Sequence, residues 1–169
     1  MFLVAGEPYG VADYGSFAMN VMRMEKGFKG AGELTNEVTL PEADVMRFVK
    51  LDKPDFVGKR PTEASASGPL PWVCVYLEIE PDGETDGHGG EAVSLDGAVV
   101  GSTSSVAYGH TVGKILAFAY VKPEAAAAGT ALEVTIMGRP RPAVVLVDAA
   151  YDPANLRPRA DRVNASVVL

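Results

Sequence analysis

Between Gly68 and Pro71 the hydrophobic period of this chain changes, and with it the kind of structure the chain can form. Before that point Phe17, Val21, Met24 and Phe28 recur at spacings of three and four, with Ala18 and Met22 beside them, and predict a helix over residues 13–26. Asp13 can cap its start. Gly27, followed by Gly30 and Gly32, supplies positive φ and ends it. After Pro71 the period is two, and Tyr76-Leu77-Glu78-Ile79-Glu80 alternates apolar with acidic residues. Strands are expected over residues 72–80, 91–95, 98–108, 114–122, 131–137 and 143–147. Asp96-Gly97 joins two of them as a tight primed turn, whose φ values Gly accepts and Asp tolerates. Six short strands in about 80 residues, with turn chemistry between them, argue for a small antiparallel Greek-key or jelly-roll-like barrel and an α+β fold.

Between helix and barrel the signals are shorter. Pro41-Glu42-Ala43-Asp44 has the form of a helix first turn with Thr39 as its cap, and residues 45–51 read as a short strand or an extended entry to one. A helix starting over residues 55–59 is expected to stop at Pro61 and the small-residue run of 64–69. That run is the best linker in the sequence. Residues 1–62 are therefore assigned to one unit, 63–70 to a linker and 71–169 to the barrel with its tail. Ala125 to Ala128 reads as one helical turn.

A formal net charge of −7 leaves no basic stripe to neutralise phosphates, which argues against nucleic acid and against a membrane surface as partners. Residues 1–10 lack a basic stretch followed by a long apolar one, so they predict neither a signal peptide nor a spanning helix. The single cysteine, Cys74, lies between Val73 and Val75 and reads as a buried strand residue in a reducing, cytoplasmic protein.

Glu25 is the residue with the most open chemistry. A carboxylate at a helix C-terminus faces partly negative carbonyls, and that penalty has two readings. One is a solvated glutamate paired with Lys29 at four-residue spacing. The other is a carboxylate aimed into a pocket, where its two oxygens accept hydrogen bonds from adjacent N–H donors such as those of a pterin ring.

The segments 17–28, Pro41-Glu42-Ala43 and Lys53-Pro54-Asp55-Phe56-Val57-Gly58-Lys59 resemble the closing half of the folate-binding domain in glycine cleavage T-proteins, an aminomethyltransferase family. Residues 96–105, Tyr108-Gly109-His110-Thr111-Val112-Gly113-Lys114 and Ala117-Phe118-Ala119-Tyr120-Val121 resemble its C-terminal barrel. The Glu-Lys-Gly motif and Tyr-Gly-His-Thr look closer to the folate module of dimethylglycine and sarcosine dehydrogenases, in which the module follows an FAD-containing part. The resemblance implies a tetrahydrofolate-binding module of a one-carbon-transfer enzyme: the C-terminal part of a folate-binding domain followed by the barrel. Folate is then the small-molecule partner, and FAD belongs to an upstream segment or a separate dehydrogenase subunit. Glu25 falls at the pterin-binding glutamate, Arg23 at an arginine that organises the region, and Tyr108 in the segment that faces the family's central cavity. Arg157 and Arg159 either meet a folate glutamyl tail or stand as solvated charges. Ala31 departs from the aromatic residue usual four positions after the helix-ending glycine. The upstream aspartate tied to one-carbon transfer has no counterpart here, so no catalytic residue is assigned and the chain alone is expected to lack turnover. The other reading is a non-catalytic barrel kept for subunit assembly.

The remaining titratable groups point nowhere else. His88 in Asp86-Gly87-His88-Gly89-Gly90 has no second ligand at metal spacing, and no metal is expected. His110 reads as a hydrogen-bonded structural residue. Neither a Gly-x-Gly-x-x-Gly run nor a phosphate loop is present.

Overall fold

The computed structural model describes residues 2–83 and 87–159; Asp86 and the tail from 160 lie outside these. Six strands close into one antiparallel barrel in the order β1-β4-β3-β2-β5-β6: β1 (Val73–Ile79), β2 (Ala92–Leu95), β3 (Ala98–Gly109), β4 (Lys114–Val121), β5 (Ala131–Ile136) and β6 (Arg139–Leu146). β2, β3 and β4 follow one another through hairpins and β5 returns beside β2, which is the Greek-key connection. The sheet closes on itself rather than splitting into two jelly-roll layers, and closure leaves no edge.

Alternation along the strands divides two apolar sets. Val75, Leu77 and Ile79 of β1 and Ile115, Ala117, Ala119 and Val121 of β4 fill the barrel interior. Cys74, Leu116 and Phe118 point outward and are nonetheless buried, because Met24 of helix α2 (Ser16–Glu25) packs on them. β4 is thus covered on both faces, which explains its nearly unbroken apolar run.

β3 carries the irregularity that shapes the site. Thr103 pairs with Ala119 and Ser105 with Phe118, so Ser104 is an extra residue, a β-bulge. The bulge inverts the alternation. Ser105 and Ala107 come to the α2 side, while Val106 and Tyr108 join the interior set.

Hairpin turns follow the expected chemistry. Asp96 and Gly97 both take positive φ, +50° and +80°, and a second such turn at Met137 and Gly138 lets β6 begin at Arg139, earlier than position 143. Pro140 and Pro142 fit there because their missing N–H groups belong on the β1 side, beyond the end of the β1 pairing; the Pro142 carbonyl still accepts the Glu80 amide at 2.9 Å.

Four local expectations change. α2 starts at Ser16 behind an extended Gly15 with no side-chain cap, so Asp13 does not cap it. Its end does follow expectation: Gly27 takes φ +63°, and the Phe28 and Gly27 amides reach the Arg23 and Met24 carbonyls. Residues 45–51 form no strand but a 3₁₀ turn at Met46–Phe48, since a closed barrel offers them no edge. Pro61 does not stop the next helix: α3 runs Lys59–Ser67 with the proline in its first turn, where a missing N–H costs nothing, and residues 63–67 of the expected linker are helical. Thr39 and Glu42 do make a reciprocal cap, at 2.7 and 3.5 Å, but Asp44 turns to φ +52° and the helix goes no further. Pro123–Ala125 forms a single 3₁₀ turn beside the alanine run. Two short helices, α1 (Phe2–Gly6) and α4 (Leu156–Arg159), lie near the ends.

Candidate functional site

The C-terminal turn of α2 is fastened to the barrel from three sides. The Tyr76 hydroxyl donates to the Met24 carbonyl at 2.6 Å, the Tyr151 amide donates to the Glu25 carbonyl at 3.0 Å, and Lys26 Nζ donates to the Asp152 carbonyl and Asn155 Oδ1, both at 2.7 Å. The first two bonds answer carbonyls that a helix end leaves unpaired, the Lys26 bonds tie the turn to the segment after β6, and together they fix what the turn presents.

Arg23 is spent on organising this corner. Its Nε donates to Asn20 Oδ1 at 2.9 Å, its Nη1 to Glu33 Oε2 at 2.7 Å and to the Phe28 carbonyl, and its Nη2 to Ser105 Oγ at 2.9 Å. Glu33, wholly buried, also accepts the Gly30 amide and the Ser104 hydroxyl, and its carbonyl accepts the Tyr120 hydroxyl at 2.7 Å. Burial alone would raise the Glu33 pKa. Hydrogen bonds from Ser105 and the Gly30 amide, the Arg23 charge and Ser104 outweigh it and hold the carboxyl below its usual range. The bulge at Ser104 is what allows two consecutive serines to serve this pair.

Glu25 is different. Its residue is 5% exposed, its Oε1 accepts the Thr111 amide at 2.6 Å, and among the described residues it has no other side-chain bond and no ion pair. Lys29 does not pair with it; Lys29 Nζ lies 3.2 Å from Asp44 Oδ2. The solvated reading of Glu25 therefore fails, because the side chain turns inward against the barrel rather than along the helix surface. It lines a pocket of about 340 Å³ between α2, which supplies Phe17, Val21 and Met22, and the β3–β4 turn, which supplies His110 and Thr111. A nearly buried carboxylate without a countercharge is an expensive arrangement, and its remaining acceptor sites suit a ligand that brings N–H donors.

Tyr108 is not brought to that pocket. It is half-buried against the barrel interior, and meets His110 edge-on with centroids 5.1 Å apart. His110 thus stands between Tyr108 and the Glu25 pocket. His88 is exposed in a loop tied by its own amide to Glu91 Oε1 at 2.6 Å, and no group of His, Cys, Asp or Glu side chains that could hold a metal gathers among the described residues. Arg157 bonds the Tyr151 hydroxyl. Cys74 is buried as expected, and burial pushes its thiol up to about 12.

Sequence reasoning missed Glu33, Ser104, Ser105 and Thr111. A Gly-Ala-Gly stretch ahead of Glu33 hints at close approach, and a Ser-Thr-Ser-Ser run in a strand hints at polar bonding, but neither says with what. The Gly32 Cα faces Ser105 so closely that a Cβ would lie 2.7 Å from its hydroxyl.

Residues 73–152 match the family model for the glycine cleavage T-protein C-terminal barrel domain. The chain is similar to the mitochondrial dimethylglycine dehydrogenase of Mus musculus, with 36% identity over 161 residues, covering 93% of this chain and 18% of that protein. It is 37% identical to an aminomethyltransferase of Saccharopolyspora erythraea, covering 87% of this chain and 40% of that one. In fold it is similar to the glycine cleavage system aminomethyltransferase T of Bartonella henselae, with a TM-score of 0.71 and 19% identity, over 80% of this chain and 38% of that one. The chain thus spans well under half the length of each of these relatives.

Proposed function

Through residues 73–152 this chain belongs to the glycine cleavage T-protein C-terminal barrel family, and from that premise we propose that it is a tetrahydrofolate-binding module of a one-carbon-transfer enzyme. Glu25 carries the reading: a carboxylate 5% exposed, held on one oxygen by the Thr111 amide, at a pocket, with no cation paired to it among the described residues. This acceptor fits a pterin, whose adjacent N–H groups need a carboxylate edge and whose flat ring needs an apolar wall such as Phe17 and Val21 supply.

In this reading Glu25 binds and orients the ring and Arg23 organises the helix end with Glu33. Tyr108 acts at one remove, through its edge contact with His110. Tetrahydrofolate, when bound, supplies the amine that accepts a one-carbon unit. The protein's contribution is to hold that amine where the unit is released and to keep water away. Any FAD chemistry belongs to an upstream domain or a partner subunit, and the free, buried Cys74 suits a reducing, cytoplasmic setting. No helix among the described residues is long and apolar enough to cross a membrane.

Exposed Phe2, Tyr9 and Phe17 favour a second reading, a barrel module kept for assembly with another domain or subunit. A ligand that binds only the folded chain raises its melting temperature. Tetrahydrofolate is expected to raise the melting temperature of the wild type and to do so much less for Glu25→Gln; no rise for either favours assembly alone.

A further inference from the structure

Among the described residues, the hydrogen bond to the Glu25 carboxylate comes from the β3–β4 turn. The Gly113 amide donates to the Gly109 carbonyl at 2.8 Å, with Gly113 at φ +69°, and this closes a five-residue turn whose Thr111 amide meets Glu25 Oε1 at 2.6 Å. Gly109 lets the two come together. A Cβ there would lie 3.2 Å from Glu25 Cγ, 2.8 Å from Val112 Cγ2 and 3.0 Å from Leu116 Cδ1. Its φ is outside the left-handed region, so what this position demands is space and not glycine's freedom of conformation.

A carboxylate oxygen has two acceptor sites, so Oε1 keeps one beside the Thr111 bond and Oε2 keeps both. A glutamate side chain otherwise rotates about three bonds, and a ligand that had to freeze it would lose affinity to that ordering. We propose that the turn of residues 109–113 is a positioning element for ligand recognition: the Thr111 amide fixes the rotation of the Glu25 carboxylate, and the bare Cα of Gly109 keeps it at the mouth of the pocket. A ligand with two adjacent N–H donors then meets an acceptor edge already set in place by the barrel. The inference rests on the reading of Glu25 as the pterin-binding carboxylate, and it assigns the second, barrel unit a part in a site whose ligand residue lies on a helix.

Two measurements test it. In a ¹⁵N-labelled chain the Thr111 amide proton, bonded to a carboxylate, resonates downfield, and Glu25→Gln is expected to move it upfield; an unmoved resonance overturns the contact. In calorimetric titration with tetrahydrofolate, Gly109→Ala is expected to lower affinity by about tenfold or more while circular dichroism and melting temperature stay close to wild type. A folded Gly109→Ala protein that binds as tightly as wild type overturns the proposal. If Gly109→Ala does not fold, Thr111→Pro replaces it, since it removes the donor without adding a Cβ beside Glu25, and the same two outcomes apply. If the wild type itself does not bind tetrahydrofolate, the folate reading fails and the amide resonance alone decides whether the turn positions Glu25.

Discussion

Glu33 and Glu25 lie eight positions apart, both nearly inaccessible to water, and their chemistry differs because their partners differ. Glu33 is satisfied by Arg23, the Gly30 amide and Ser104, so removing its charge strands a guanidinium that is itself mostly buried. Glu33→Gln is expected to cost about 3 kcal/mol, read from urea melts at neutral pH. Its folded pKa is depressed, so the stability it contributes is fully present above its ordinary value of 4.5 and is lost as pH falls through the lower folded value. The gap between wild type and Glu33→Gln should therefore narrow only below about pH 4.5. Cys74 offers a second check at this scale. A thiol pushed up to about 12 by burial stays protonated and covered, so its alkylation should follow the rate of global unfolding; fast labelling of the folded chain would contradict the packing of α2 on β1. Glu25 was legible in the sequence because a carboxylate at a helix C-terminus is out of place. Glu33 was not, because its partner Ser104 lies 71 residues away, beyond any local pattern.

Along β4 the outward side chains matter as much as the inward ones. Phe118 is 2% exposed, tilts against Tyr76 at 5.1 Å and lies under the Arg23 and Lys29 cations at 5.9 Å. Phe118→Ala should cost about 3–5 kcal/mol and loosen α2 before the barrel, seen as amide exchange in residues 16–25 faster than in the strands. Equal loss of protection in both would mean that helix and barrel share one core. At Gly101 of β3 an added Cβ would run into the Tyr120 carbonyl of β4, and Gly101→Ala should disrupt folding outright. Strand positions and the Asp96-Gly97 turn were readable because period and turn chemistry are local. The bulge at Ser104 was not, since it is a mismatch between two strands and exists only once they pair. Residues 59–67 differ from the local reading for a related reason: proline reads as a stop, although in a first helical turn it is compatible with the helix.

As a whole, the molecule is a closed barrel that carries α2 and its following loop on one face, held by Arg23, Tyr76, Tyr120 and the Glu42 carbonyl, which accepts the Cys74 amide at 2.7 Å. Limited proteolysis is expected to cut first within residues 2–15 or 50–70 and to spare the strands; early cleavage inside the barrel would contradict the proposed division. Phe2, Tyr9 and Phe17 are exposed, and in the assembly reading another domain or subunit would cover them. The proposed binding of folate by Glu25 is tested by calorimetric titration of tetrahydrofolate into wild type and Glu25→Gln. Charge-assisted hydrogen bonds contribute about 1.5–3 kcal/mol, so the affinity is expected to be lower by about ten- to a hundredfold in the mutant at nearly unchanged melting temperature. Equal affinity in the two proteins would contradict it.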